Sequence, residues 1–230
     1  MPANETTISA TPERAARPRL TPDAIAASAL ALADREGLDA VTIRRLAQDH
    51  QVTPMALYRH FQDKDALIDG MAERLLASVR LPEAGSGPWE AQLQRLLEAF
   101  VDALRAHPTI AGLVVTRMLS SDPGLVLAER VLALLRAAGF TPEQAAEAGT
   151  YALCSLAAWV ATERGPDLEP EARDAALRLR KATLGALSPR QYPNIIDAAG
   201  TLAHGAGDRA FYQLGIALVI AGLRALRPDD

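Results

Sequence analysis

A hydroxyl or carboxylate residue followed directly by proline punctuates the chain, at Thr21-Pro22, Thr53-Pro54, Asp122-Pro123, Thr141-Pro142 and Ser188-Pro189. Each pair is a helix start. The side-chain oxygen can accept one of the first-turn N–H groups that lack an intrahelical partner. Proline fits the first helical position, where its missing N–H is not needed. In Thr141-Pro142-Glu143-Gln144 and Ser188-Pro189-Arg190-Gln191 a glutamine three residues on completes a capping box. No run alternates apolar with polar residues between hairpin turns. The fold class is therefore all-α, with about nine to eleven helices expected at ordinary helix lengths. Apolar residues make up 49% of the chain but aromatics only 4%, so the apolar mass is Ala and Leu, which suits closely packed helices.

Between these starts the pattern divides the chain. Residues 1–19 are polar and proline-containing and read as a flexible arm. A helix opens at Pro22 and stops at Gly37, and short ones are expected over 43–50 and 54–60. Asp63-Lys64-Asp65 opens a connecting helix over 65–80. Leu81–Pro88 is a linker. Helices are then expected over 89–106, 109–119, 122–139, 142–163, 171–186 and 209–226, with one opening at Ser188 and turns at 165–170 and 203–208. The organisation read from this is an arm (1–19), a unit at 20–64, the connecting helix at 65–80 and a larger unit at 81–230.

The 20–64 unit carries the most information. Its two short helices are joined by Gln51-Val52-Thr53, and Ile43, Leu46, Ala47, Val52, Leu57 and Phe61 can pack on Ile25, Ala29 and Leu32 of the first helix. That is a helix-turn-helix. In this motif the second helix enters the major groove by its N-terminus. Here it would present Pro54, Met55, Ala56, Tyr58, Arg59 and His60. Small residues permit close approach, hydroxyls and imidazole can donate to phosphates, and Arg can read guanine. The net charge is −4, yet residues 42–64 carry Arg44, Arg45, Arg59 and Lys64 against Asp49 and Asp63. The local excess suits an anionic partner. By spacing alone, an ordinary helical hairpin with a solvated polar face fits equally well.

The stretch Leu20–Leu76 resembles the DNA-binding domain of the tetracycline-repressor (TetR) family. The residues that carry this are GLDAVTIRRLA at 37–47, VTPMALYRHF at 52–61 and KDAL at 64–67. More faintly, Trp89, Gly139-Phe140-Thr141 and FYQLGIALVIAGL at 211–223 resemble the C-terminal domain of tetracycline repressors. The resemblance implies a homodimeric transcription regulator, a repressor, that binds double-stranded operator DNA and is released by a small-molecule effector. It implies base contacts by Arg44, Pro54, Met55 and Ala56, phosphate contacts by Thr42 and Thr53, and backbone clamping by Tyr58, His60 and Lys64. In one stretch the chain departs from that pattern. Tetracycline repressors hold magnesium-tetracycline partly through a His before a Thr-Arg-Pro turn, whereas Leu113–Leu119 reads LVVTRML. A largely apolar effector that needs no magnesium is therefore expected.

In the larger unit, Trp89, Phe100, Leu104, Val114, Met118, Cys154 and Trp159 could line a pocket between helices, or simply pack a core. Arg117 lies between Val115 and Met118, as a snorkelling surface residue or as a handle for an anionic ligand. Residues 145–161 and 210–226 are apolar on nearly every side, which places them in a core or against a partner. One cysteine excludes an intramolecular disulfide, and Cys154 reads as core filler. The four histidines, His50, His60, His107 and His204, have no partner at helical spacing, so no metal is expected. No phosphate loop, nucleophile elbow or HExxH occurs, so neither enzyme activity nor a cofactor is expected. The first 20 residues hold no apolar core of about 7–15 residues, as a secretory signal would. The apolar run 214–226 falls short of a bilayer span. A cytoplasmic protein without a membrane partner is expected. An all-α enzyme acting on a lipophilic substrate and a non-sensing architectural DNA-binding protein are the rival readings.

Overall fold

A computed structural model describes residues 20–83, 85, 87–162, 170–204 and 209–227. The arm and the expected turns at 165–170 and 203–208 fall wholly or largely outside these. Ala203 and His204, expected in the second turn, are helical instead. The described residues form twelve α-helices and no strand. They are α1 (Pro22–Glu36), α2 (Ile43–Asp49), α3 (Pro54–Tyr58), α4 (Lys64–Ala77), α5 (Trp89–Arg105) and α6 (Ala111–Arg117). There follow α7 (Asp122–Ala137), α8 (Pro142–Thr162), α9 (Pro170–Gly185), α10 (Pro193–Asp197), α11 (Ala199–His204) and α12 (Arg209–Leu226).

The caps fall where the sequence puts them, with three corrections. Thr21 accepts from the Ala24 N–H at 3.1 Å, Thr42 from Arg45 at 3.1 Å and Asp63 from Ala66 at 2.8 Å. At α8 the box closes both ways, Gln144 N–H to the Thr141 hydroxyl at 3.2 Å and Thr141 N–H to Gln144 Oε1 at 2.9 Å. Gly37 (φ 89°) and Gly139 (φ 99°) end α1 and α7 in the left-handed region that glycine tolerates. Thr53, however, makes no side-chain cap bond, because the Ala56 N–H already bonds the Thr53 carbonyl at 2.9 Å. The cap of α7 is Ser121, one residue before the expected Asp122. Ser188 opens only a turn. Its carbonyl accepts from Gln191 and Tyr192 at 3.0 and 2.8 Å, and the helix waits until Pro193. Proline disfavours the helical conformation in the residue before it, and Tyr192 accordingly sits at φ −132°, ψ 48°.

Two expected helices are also cut. The connecting helix stops at Ala77, where the Ser78 hydroxyl bonds the Leu75 carbonyl at 2.6 Å and competes with the helical ladder. The helix expected over 109–119 is α6 flanked by 3-10 turns at Pro108–Ile110 and Met118–Ser120. The start of α7 abuts the second of these. A Cβ on Gly124 would lie 1.9 Å from the Met118 carbonyl oxygen, so only glycine permits this approach.

One continuous apolar core runs from Ile25 of α1 to Leu223 of α12. α1 packs on α4, and α4 in turn on α6 and α7. α5 lies among α7, α8 and α12, while α9, α10 and α11 pack on one another. The two most apolar helices are not buried all round within the single chain. α8 buries Ala145, Gly149, Ala152, Leu153, Leu156, Ala157 and Val160, but Tyr151 is 72% exposed and Cys154 is exposed too, not core filler. α12 buries Tyr212, Gly215, Ile216, Ile220 and Leu223, but leaves Leu214, Leu218 and Leu226 outside. Its full 18 residues are, by length and composition alone, long and apolar enough to cross a membrane, unlike the 13-residue run read from the sequence, and 28% of them are buried against the chain.

Candidate nucleic-acid interface

α2 and α3 pack through Leu46, Ala47 and Leu57, all buried. Between them the chain reverses in a left-handed residue, Gln51, at φ 54°. The Gln51 N–H bonds the Gln48 carbonyl at 3.0 Å and the Val52 N–H the Ala47 carbonyl at 2.9 Å, the paired bonds of a Schellman end. Gln there accepts strain that glycine would avoid. This turn leaves the N-terminal half of α3 outside. Thr53 and Pro54 are exposed, Ala56 is half-buried, Met55 is 67% and Tyr58 47% exposed, and Arg59 and His60 face solvent.

The two adjacent arginines of α2 have different surroundings. Arg44 is exposed and has no partner among the described residues. Arg45 donates to both carboxylate oxygens of Glu36 at 2.7 and 3.0 Å and to Asp49 at 3.2 Å. The hydrogen bond to Glu36, then that to Asp49, holds its guanidinium above its ordinary pKa. Its charge is matched within the chain, so Arg45, one of the four cations the sequence counted toward an anionic partner, braces α2 on α1. Thr42 is exposed, and its hydroxyl oxygen accepts as the α2 cap, which leaves its O–H to donate outward. Lys64 is exposed, with Nζ 3.4 Å from the Leu38 carbonyl.

The candidate effector residues scatter. Phe100, Leu104 and Val114 are fully buried and Met118 nearly so. Trp89 meets the edge of Phe140 at 6.4 Å and Trp159 that of Phe211 at 5.8 Å. Arg117 pairs with Asp69 of α4 at 2.7 Å. None of these eight residues, Cys154 included, lines the 590 Å³ groove between α8 and α12, which is walled by Phe140, Gln144, Tyr151, Leu218 and Leu226 among others. Nothing in the local sequence pointed to that groove, because it forms between helices some 60 residues apart in the chain. The residues at the end of α6 do not suit a resident magnesium ion. The stretch 113–119 offers no carboxylate or imidazole, and Arg117 brings a positive charge.

Residues 25–71 match the family described as bacterial regulatory proteins, tetR family, and residues 81–227 match the tetracyclin repressor-like C-terminal domain. The chain belongs to the TetR family. Over 224 residues it is 31% identical to an HTH-type transcriptional regulator of Saccharopolyspora erythraea, covering 93% of this chain and 89% of that one. It is 30% identical to the class C tetracycline repressor of Escherichia coli over 218 residues, 91% of this chain and 93% of that one. The structure of ActR from Streptomyces coelicolor in complex with actinorhodin superposes with a TM-score of 0.78 at 30% identity, over 92% of this chain and 99% of that one. As a TetR-family protein the chain is a DNA-binding transcriptional regulator and not an enzyme. That decides between the readings of the helix-turn-helix that spacing left open.

Proposed function

We propose that this regulator is a cytoplasmic, homodimeric repressor that leaves its double-stranded operator when a largely apolar small molecule enters the 81–230 unit. Residues 20–64 read DNA and residues 65–80 connect the two. Unpaired Arg44 beside the exposed face of α3 carries the reading. Arg44, Met55 and Ala56 meet base edges with Pro54 at the helix start, Arg59 adds a cation beside them, and Thr53, Tyr58, His60 and Lys64 hold phosphates. Two copies meet through the open faces of α8 and α12, since Tyr151, Leu214 and Leu218 lie where one chain leaves them in water. The effector is apolar because the side chains it would have to part, Phe100, Leu104, Val114 and Met118 with Trp89 and Trp159 beside their aromatic neighbours, are closed in apolar packing in the single chain. Arg117, if an anionic group drew it from Asp69, would release α4. ActR holds actinorhodin in its solved complex, which supports an effector reading for a relative of this likeness.

The test is selection of operators from a random duplex library. Wild type should return a sequence with two half-sites. Arg44→Ala should cost about 1–3 kcal/mol of affinity and relax preference at one base position. An unchanged motif at unchanged affinity would remove Arg44 from the bases. No motif from wild type would favour the architectural reading. A thermal-shift screen with and without chelator, followed by DNA release, then tests the effector. Hits that vanish with chelator would refute the magnesium-free class.

A further inference from the structure

An acidic side chain used by neither DNA nor effector joins the two units. Asp34 lies near the C-terminal end of α1, where a carboxylate opposes the helix dipole. Its side chain is only 26% exposed. Partners more than 70 residues on in the chain hold it there. Oδ2 lies 2.6 Å from Nδ1 of His107, and Oδ1 accepts from the Thr109 hydroxyl at 3.3 Å. The Thr109 hydroxyl also reaches the Ala33 carbonyl at 3.2 Å. His107 sits at the break between α5 and the 3-10 turn that precedes α6, and Thr109 within that turn. Two residues beyond Asp34, Glu36 accepts two hydrogen bonds from the Arg45 guanidinium of α2. The other charged groups at the 310 Å³ cleft beside His107, Asp23 and Arg74, pair with each other.

From this arrangement we infer that Asp34 is a positioning residue for operator spacing. The end of α1 is gripped by the core through Asp34 and grips the helix-turn-helix through Glu36. Turning the reading helices on the core must therefore break the bonds of Asp34 or bend α1. In a dimer that angle sets the distance between the two copies of α3. Half-sites lie about 34–36 Å apart, one helical turn, so a change of angle in each copy moves α3 off its site. Asp34 itself touches no DNA. The inference rests on the dimeric reading above.

The experiment compares full-length wild type, Asp34→Ala, Asp34→Asn and Thr109→Val. Each is titrated with the operator selected by wild type, with versions carrying one or two extra base pairs between half-sites, and with an isolated half-site. Wild type should lose roughly tenfold or more when the spacing changes. Asp34→Ala should bind the half-site as wild type does, yet bind the original operator about tenfold more weakly and discriminate spacings less than about threefold. Asp34→Asn keeps a carbonyl acceptor for Thr109 and should recover part of the discrimination. Thr109→Val, changed on the core side only, should shift the profile in the direction of Asp34→Ala. Wild-type spacing profiles in both Asp34→Ala and Thr109→Val would overturn the inference. So would equal losses on half-site and operator in both. Failure of wild type to select any paired site would instead overturn the dimeric reading beneath it.

Discussion

The helix-turn-helix end and the α8–α12 pair are built from the same Ala- and Leu-rich alphabet, and they finish their cores differently. In α1–α3 every large aliphatic side chain turns inward: Ile25, Leu30, Leu32, Ile43, Leu46 and Leu57 are all buried. The large side chains left outside are Met55 and Tyr58, both on the face of α3 that the proposal gives to DNA. α8 and α12 bury one stripe each and leave Tyr151, Leu214, Leu218 and Leu226 in water. The first region closes its core within the chain and exposes what it uses. The second needs a further surface to cover it. An apolar face left over after intramolecular packing is an interaction surface, whereas a small capped unit with none is complete.

The largest break in that contrast is expected at Leu57. It is fully buried in a unit with no partner to compensate, so Leu57→Ala should cost about 2–5 kcal/mol, read by calorimetry and by lost operator binding. The opposite behaviour is expected at Ala217, which is exposed on α12 in the single chain. Ala217→Asp should leave far-UV circular dichroism unchanged but weaken self-association by about 2 kcal/mol or more, because the proposed pairing buries an unpaired carboxylate. A folded dimer of wild-type stability by sedimentation would show that the open face serves something else.

Smaller effects separate the neighbouring arginines. Arg45→Ala should lower the melting temperature slightly and leave the selected operator motif unchanged, because its cation is matched by Glu36 and Asp49. A changed motif would return Arg45 to the bases. The smallest effect is expected at Glu143, in the first turn of α8. Its carboxyl is held below the ordinary glutamate range by its own backbone N–H, then by the Thr141 hydroxyl, with Arg136 adding a lesser attraction. A depressed folded-state value means that stability is present above the ordinary range and lost as pH falls through the lowered one. Glu143→Gln should therefore melt slightly earlier than wild type at pH 7, and the two curves should converge in acid.

Much of this was legible in the chain because the signals are local. A cap links residues three apart, a proline restricts its immediate neighbour, and a helical stripe repeats within a turn. Thr21, Thr42, Asp63 and the Thr141–Gln144 box needed nothing distant to be read correctly. The TetR resemblance at 37–61 rests on the same short-range spacing. Where such signals competed with each other the reading slipped. Ser188 had its box, but Pro193 set where the helix could begin.

Tertiary structure decided whatever depended on partners far along the chain. Arg44 and Arg45 are adjacent and identical in type, and only the return of Glu36, nine residues away, made one a brace and left the other unpaired. Cys154 looks like core in sequence, yet α8 turns it outward beside Tyr151, because its other face carries the buried stripe of Leu153, Leu156 and Ala157. Asp34 and His107 give no sign of each other across 73 residues. A side chain's own chemistry sets what it can bond, but folding sets which group arrives to meet it, and a one-dimensional pattern does not encode that encounter.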